Sequence, residues 1–250
     1  MQPILITLGI SLLIQAIFFA FAATFKSDKV TDLSYSLTFI IIAIYWLLIE
    51  GTFDTGRLVL ATMITIWGMR LGSYLFIRIL KIGKDARFDG IRENFWSFAK
   101  FWLLQGVSVW IIVLPAAYYL SLDTTTQVDV IAYIGIAVWA VGLITETIAD
   151  IQKFKYYDIP KDERPKPWID YGVWKHSRHP NYFGEMLVWW GIFIFVIPAL
   201  SGIGWLTVVG PIWITILLLF VTGIPTLEKK MDKEFADNPD YQQYKETTPH

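Results

Sequence analysis

Residues 177–185 bring polar and charged side chains to the start of an apolar segment that continues to Ala199. Four of these side chains can bind ligands by hydrogen bonds: Arg178, His179, Asn181 and Glu185. Burying such groups beside hydrocarbon is costly unless they have partners. Pro180 suits the first turn of a helix, where free N–H groups and the helix dipole attract anions. The segment therefore predicts a site for a polar, partly anionic ligand.

Two carboxylates lie near the end of another apolar segment. Glu146 and Asp150 are four residues apart and share one helix face, and Lys153 follows within a turn. Negative charge at a helix C-terminus opposes the helix dipole. We therefore expect these carboxylates to face a cation such as Arg178, or the hydroxyl and amide groups of a ligand. A solvated helix end is the alternative.

Several familiar site patterns are absent from the sequence. It has no Cys, no P-loop and no G-x-S-x-G motif, and the spacing of His176, His179 and His250 does not match a metal site. We therefore expect no bound metal. The net charge of −1 lacks the basic character of a nucleic-acid-binding protein, so we expect no nucleic-acid partner.

The elements that carry these residues are those of a membrane protein. The chain is 55% hydrophobic with a mean hydropathy of +0.48, and about 20 apolar residues suffice to cross a bilayer. We predict an all-α polytopic membrane protein with seven transmembrane helices in a single domain, 1–250. The predicted helices are approximately 4–25, 33–53, 58–80, 98–122, 128–151, 182–199 and 204–223. Residues 152–180 are predicted to form an ordered loop, and 224–250 a polar tail.

Basic residues predict the orientation. Nineteen of the 21 Lys and Arg residues fall in the connections and the tail on one side of the predicted bundle. The positive-inside rule then puts the N-terminus outside and the C-terminus in the cytoplasm. Gly68 and Gly72 form a small-residue pair that permits close helix contact.

An ordered set of motifs resembles the DUF1295 branch of the steroid 5-alpha-reductase-like membrane proteins, over almost the whole chain. The markers are Trp67, Arg70 and Leu71; Asp85, Arg87 and Phe88; Asp150 and Lys153; Gly172 and Trp174; residues 177–185; Gly223, Ile224, Pro225 and Glu228; and Tyr241 and Tyr244. The steroid 5-alpha-reductase relatives are seven-helix proteins. They bind NADPH in a polar cavity open to the cytoplasm and deliver hydride to an enone in a lipid.

The resemblance implies an NADPH-dependent oxidoreductase with a hydrophobic, lipid-like substrate. It implies cofactor contacts from matching motif positions: Arg87, Glu146, Asp150, Lys153, Arg164, Tyr171, Trp174, Arg178, His179, Asn181, Tyr182 and Glu185. It also implies that the loop 152–180 covers the cofactor. In those reductases a Glu and a Tyr polarise the enone oxygen, and Glu50 and Tyr74 are the nearest counterparts. The reductases have a His beside that Tyr, where this chain has Ser73.

Two other functions stay open. Isoprenylcysteine carboxyl methyltransferases and phospholipid methyltransferases share the Arg-His-Pro-x-Tyr-x-Gly pattern of residues 178–184 and bind S-adenosylmethionine with it and with a later Glu. Glu228, Tyr241 and Tyr244 resemble that later segment. A non-catalytic lipid-binding or transporter-like bundle would explain intramembrane charges but not the clustering of polar motifs on one side. Membrane lipids are expected partners in all cases, and the oligomeric state is open.

Overall fold

The computed structural model describes residues 2–123 and 127–250, and over these residues the chain is helical with no strands. The α-helices in the described residues are α1 Gln2–Phe25, α2 Thr31–Ile49, α3 Thr55–Ile82, α4 Phe95–Leu120, α5 Val130–Asp158, α6 Pro180–Val196, α7 Val209–Ile216, α8 Ile224–Phe235 and α9 Pro239–Thr247. Within this described part, seven helical segments are long and apolar enough to cross a membrane. The prediction of an all-α integral membrane protein is confirmed.

The chain divides into two compact units. The first comprises Met1–Tyr133 and Ile192–Gly210, and the second comprises Ile134–Gly191 and Pro211–His250. Each unit therefore draws on two separate stretches of sequence. The assignment of a single domain, and the orientation of the chain in the membrane, stay predictions.

In the first unit, α1 packs against α2 and α4, and α2 packs against α3. The contact between α1, α2 and α4 contains a buried network of hydrogen bonds. Gln15 donates to Thr38 at 2.9 Å, and its side-chain oxygen accepts from Ser34 at 3.2 Å and from Gln105 at 2.7 Å. Because hydrocarbon offers no hydrogen-bond partners, polar side chains that satisfy one another hold helices together in a membrane.

Charged residues join the connections at one end of the first unit. Asp28 and Arg92 form a buried ion pair at 2.8 Å, and Asp28 also accepts from the backbone N–H of Asp85 at 2.6 Å. Asp85 in turn accepts two hydrogen bonds from the guanidinium of Arg87. Burial would raise the pKa of Asp85, but the hydrogen bonds and charge of Arg87 outweigh it, so this pKa lies below its usual value.

The ends of α2 and α5 differ from the approximate bounds predicted for them. α2 ends at Ile49 instead of residue 53, because Glu50 caps it and Gly51 takes a positive φ of 64° that a helix does not allow. α5 ends at Asp158 instead of residue 151, so the first seven residues of the predicted loop are helical. Hydropathy falls after Ile151, but nothing in residues 152–158 breaks the backbone hydrogen bonding, and Pro160 is the first proline to follow.

In the second unit, α5 and α6 approach each other through glycines spaced seven residues apart. A Cβ added to Gly184 of α6 would lie 2.6 Å from the backbone nitrogen of Glu146 and 2.7 Å from the carbonyl oxygen of Gly142 on α5. A Cβ on Gly191 would lie 2.8 Å from the carbonyl oxygen of Gly135. These distances leave no room for a side chain, so the two helices pack backbone against backbone.

The last predicted span, 204–223, is not one regular helix. It consists of a 3-10 helix at Gly202–Val208, the short α7, and a π-helical turn at Leu217–Val221. The wide turn lets the N–H of Thr222 reach the carbonyl of Leu217 at 2.9 Å. α8 packs against this turn and begins the polar tail.

Candidate functional site

A cavity of about 600 Å³ lies within the second unit. Its walls come from the end of α5, the connection 159–179, α8 and α9. Its size falls in the range of cofactor and small-molecule sites, roughly 300–1,000 Å³. The polar motif that starts α6 contributes Arg178 and His179 to its lining.

One carboxylate holds both of these residues. Glu228 of α8 accepts from Nη1 of Arg178 at 2.7 Å through Oε2, and its Oε1 lies 2.7 Å from Nε2 of His179. Arg178 and His179 are 8% and 6% exposed, so the ion pair and the hydrogen bond lie almost out of water. Charge-assisted bonds of this kind are stronger than neutral ones. Glu228 therefore fixes the start of α6 to α8.

The tail reaches the same cluster. The backbone N–H of Arg178 donates to the carbonyl of Pro249 at 2.8 Å, and its Nη2 lies 3.0 and 3.2 Å from the two ring nitrogens of His250. The Nε–H of Arg178 is buried with no acceptor among the described residues. Nη1 of this guanidinium therefore binds a carboxylate, Nη2 faces an imidazole, and Nε is a free donor.

The ligand atoms of His179, Glu228 and His250 lie within 4.8 Å of one another. Two imidazoles and a carboxylate are a donor set that zinc accepts. The sequence spacing did not predict this convergence, because it arises from the tail. Arg178 contacts Glu228 and His250 in the same cluster, so the protein itself supplies a positive charge at this position.

Burial lowers the pKa of His179 below its usual value, and the hydrogen bond and charge of Glu228 only partly oppose this. The imidazole is therefore neutral at pH 7. Its hydrogen bond to a carboxylate requires the proton on Nε2, which leaves Nδ1 as an acceptor. Tyr182 stacks on the ring at a centroid distance of 5.9 Å.

The cavity lining carries more positive than negative charge. Its cations are Lys153, Lys161, Arg164, Lys166, Arg178 and Lys230, and its carboxylates are Glu228 and Glu234. Arg164 is fixed by two hydrogen bonds at the end of α5. It donates to the carbonyls of Tyr157 and Ile159 at 2.8 and 2.7 Å. Lys153 lies 5.1 Å from the centre of the Trp174 ring. The cations are thus held at several points around the cavity.

Aromatic rings form another part of the lining. Trp168 stacks near Tyr244 at 6.4 Å and meets Tyr241 edge-on at 5.3 Å. The hydroxyl of Tyr244 donates to the carbonyl of Trp174 at 3.1 Å. Burial raises the pKa of both tyrosines, so both are neutral phenols at pH 7. The indole N–H of Trp168 is buried and has no acceptor within the described chain.

The family model described as "Protein of unknown function (DUF1295)" matches residues 18–248. The chain belongs to the DUF1295 family. Comparison with curated proteins and with solved structures finds no match for this DUF1295 protein. The predicted family is therefore confirmed, whereas the wider link to steroid 5-alpha-reductases stays a prediction.

The structure brings some of the predicted cofactor residues of this DUF1295 protein together. Five of them line the cavity: Lys153, Arg164, Trp174, Arg178 and His179. Six others belong to the second unit without lining the cavity: Glu146, Asp150, Tyr171, Asn181, Tyr182 and Glu185. Their role as cofactor contacts stays a prediction.

The helix-end argument for the two carboxylates of α5 was wrong. Because α5 continues to Asp158, Glu146 and Asp150 lie two turns or more inside it, buried at 2% and 4% exposure. The partner of Arg178 that the structure identifies is Glu228 of α8. Tyr171, another predicted cofactor contact, is held against α5, since its hydroxyl donates to the carbonyl of Gln152 at 3.1 Å.

Three predicted site residues belong to the first unit. Arg87 is half-exposed and bound to Asp85. Tyr74 lies in α3, with the guanidinium of Arg70 5.7 Å from its ring centre. Glu50 caps α2, just before α3 begins at Thr55. Tyr74 is nineteen residues beyond Thr55, which separates it from that end of α3 by about 28 Å at ~1.5 Å per residue. Glu50 and Tyr74 therefore cannot polarise the same substrate oxygen.

The sequence pattern missed several residues that line the cavity. They are the cations Lys161, Lys166 and Lys230, the aromatic residues Trp168, Tyr241 and Tyr244, and Glu228. Glu228 and the two tyrosines were marked only as family motifs or as features of the methyltransferase alternative. The alternation of prolines and cations in residues 160–167 is the signal that could have identified the basic wall.

The cavity residues suit an anionic, aromatic cofactor. Unpaired buried donors on Arg178 and Trp168 require acceptors, and phosphate or ribose oxygens would supply them. The cations around the cavity suit phosphate groups, and the aromatic side chains of its lining suit a base or a nicotinamide ring. The charges and aromatic side chains of the cavity lining are therefore compatible with NADPH.

Proposed function

We propose that this DUF1295 protein is a membrane-embedded, NADPH-dependent reductase that transfers hydride to the C=C bond of an enone-type lipid. The observation that carries the proposal is the charge of the cavity, whose lining contains six cationic side chains and two carboxylates. NADPH carries a pyrophosphate and a 2′-phosphate, so it is a polyanion. S-adenosylmethionine carries a sulfonium, an ammonium and one carboxylate, so it is a net cation that this lining would repel.

Each part of the cavity has a role in this proposal. Arg178, Lys166 and Arg164 neutralise phosphate groups, and Trp168 and Tyr244 pack against an aromatic ring of the cofactor. NADPH supplies the hydride when bound, and the protein supplies orientation and exclusion of water. Most Lys and Arg residues lie in the connections and the tail on one side of the predicted bundle, as does the segment that lines the cavity. By the positive-inside rule this supports a cavity that faces the cytoplasm, where NADPH is found.

In this proposal one residue assists the substrate oxygen. Tyr74 and Glu50 are the candidates, and helix α3 keeps them too far apart to act together. We expect Tyr74→Phe to lower the turnover number about 100-fold or more, because a general acid contributes about 10²–10⁴ in rate. Glu50→Gln should leave turnover within about twofold. The reverse pattern in a single-turnover assay would assign the role to Glu50.

Methyl transfer from S-adenosylmethionine is the second candidate, and one observation favours it. His179 is bonded to Glu228, and Tyr241 and Tyr244 line the same cavity. These are the two segments that bind S-adenosylmethionine in the isoprenylcysteine carboxyl methyltransferases that the sequence resembles. The carboxylate of Glu228 and the aromatic faces would then attract the sulfonium cation.

Ligand-induced stabilisation separates the two functions. We expect NADPH, at about 100 times its dissociation constant, to stabilise the detergent-purified protein by roughly 2.7 kcal/mol, with a matching rise in melting temperature. NADH should give a smaller shift, because it lacks the 2′-phosphate, and S-adenosylmethionine should give none. Lys166→Ala should reduce the NADPH shift, whereas Lys100→Ala, outside the cavity, should not.

A shift with S-adenosylmethionine and none with NADPH would reject the reductase in favour of the methyltransferase. Shifts with neither ligand, in protein that melts cooperatively, would reject both enzymatic functions. The lipid-binding bundle would then be the remaining hypothesis, and hydrophobic ligands would be the next probes.

A further inference from the structure

Arg178 is more than nine-tenths buried, yet its guanidinium is incompletely matched. Nη1 binds the carboxylate of Glu228 at 2.7 Å, whereas Nη2 faces only the imidazole of His250, and Nε has no acceptor in the described chain. A buried guanidinium prefers oxyanions that accept two parallel hydrogen bonds. An imidazole therefore occupies the side of Arg178 on which an oxyanion could accept two hydrogen bonds.

The segment that carries His250 is attached to the same part of the chain by two further contacts. The backbone N–H of Arg178 donates to the carbonyl of Pro249 at 2.8 Å, and Tyr244 donates to the carbonyl of Trp174 at 3.1 Å. Pro249 and His250 are exposed and lie outside α9, which ends at Thr247. The segment is therefore attached at two points, one at Tyr244 within α9 and one at the exposed residues 249–250.

We propose that His250 is an internal competitor for the anion-binding side of Arg178. An anionic group of a bound ligand, phosphate in the case of the cofactor proposed above, displaces the imidazole from Nη2 and releases residues 249–250. Tyr244 keeps α9 in position during this exchange. The ligand class follows from the donor geometry, whereas the phosphate source rests on the proposed function.

The exchange is favourable for an anion and unfavourable for a neutral ligand. An imidazole nitrogen accepts one hydrogen bond from the guanidinium, and an oxyanion accepts two and adds charge attraction. The unpaired Nε–H gains a partner only in the second state. As long as the imidazole is bound, the fraction of sites open to a ligand is reduced, and the apparent affinity is reduced by that fraction.

Binding of inorganic pyrophosphate to the purified protein in detergent tests the competition. We expect His250→Ala to bind pyrophosphate about threefold to tenfold more tightly than wild type, measured by titration calorimetry. His176→Ala is the matched control, because His176 is exposed in the same connection without lining the cavity, and it should bind as wild type does. The backbone amide of Arg178 loses its acceptor when Pro249 is released, so its hydrogen exchange in the wild type should become faster when pyrophosphate is added.

Unchanged or weaker binding in His250→Ala would overturn the proposal, and so would unchanged or slower exchange of the Arg178 amide, which would mean that Pro249 stays bound. The test is independent of the nicotinamide. Tighter pyrophosphate binding in His250→Ala without any NADPH-induced stabilisation would keep the competition and reject the reductase.

Discussion

Gly184→Ala is expected to destabilise the protein by about 2–3 kcal/mol, although alanine is the better helix former. The added Cβ would lie 2.7 Å from the carbonyl oxygen of Gly142 on α5. It would also lie 2.6 Å from the backbone nitrogen and 2.8 Å from the Cβ of Glu146. A backbone cannot rotate away as a side chain can, so α5 and α6 must separate along the whole contact. The separation breaks the packing that Gly135 and Gly191 make one heptad away.

The melting temperature in detergent is the measurement, and a fall of roughly 5–10 °C corresponds to this loss. Gly9→Ala is the matched control, because Gly9 also lies in a membrane-spanning helix and a Cβ there meets nothing within 4 Å. Equal melting temperatures for the two variants would show that α5 and α6 tolerate a wider separation, and would contradict the close packing.

This result would also separate two explanations of the glycine in the polar motif. A glycine close to a cofactor-binding segment is often read as a site where backbone approaches phosphate. Gly184 instead faces α5, and its neighbour in space is the backbone of Glu146. The motif therefore combines ligand-binding residues before α6 with a packing residue inside it, and Gly184 sets the position of Glu146 relative to α6.

Hydropathy alone predicted the seven spans, because membrane helices differ from loops chiefly in apolar content. Hydropathy did not predict helix ends where a helix continues into polar sequence, as at residues 152–158 of α5. Intrahelical hydrogen bonds do not depend on side-chain polarity. The small-residue pair Gly68 and Gly72 faces α2, through Ile40 and Ser36, in keeping with a close helix contact. The α5–α6 glycines escaped notice because their spacing is seven and not four.

The candidate site was predictable only at its local motif. Residues 177–185 pointed to an anion site from residue types alone, but the partner of Arg178 lies fifty residues later in α8. No periodicity relates these positions, since the contact depends on how the tail folds back on the second unit. The same holds for His250. The argument that Glu146 opposes the dipole of a helix end failed, because α5 ends at Asp158 and not at the predicted residue 151.

Glu228→Ala should have an effect of similar size on stability, and a larger one on ligand binding. It removes the counter-charge of Arg178, whose side chain is 7% exposed, and breaking a buried ion pair from one side costs about 3–5 kcal/mol. It also removes the acceptor that fixes His179. We expect a lower melting temperature and the loss of any NADPH-induced stabilisation. Glu234→Ala, on the same helix and cavity but exposed, should change the melting temperature little.

A double-mutant cycle with Arg178→Met tests the cause. If the cost of Glu228→Ala comes from an uncompensated buried cation, removing the cation as well should recover stability, and the double variant should be no less stable than Glu228→Ala. Strictly additive losses would contradict this, and would mean that Glu228 acts mainly through His179. A cycle of Glu228→Ala with His179→Ala would then carry the coupling energy, because His179→Ala removes the hydrogen bond to Glu228 and keeps the Arg178–Glu228 pair.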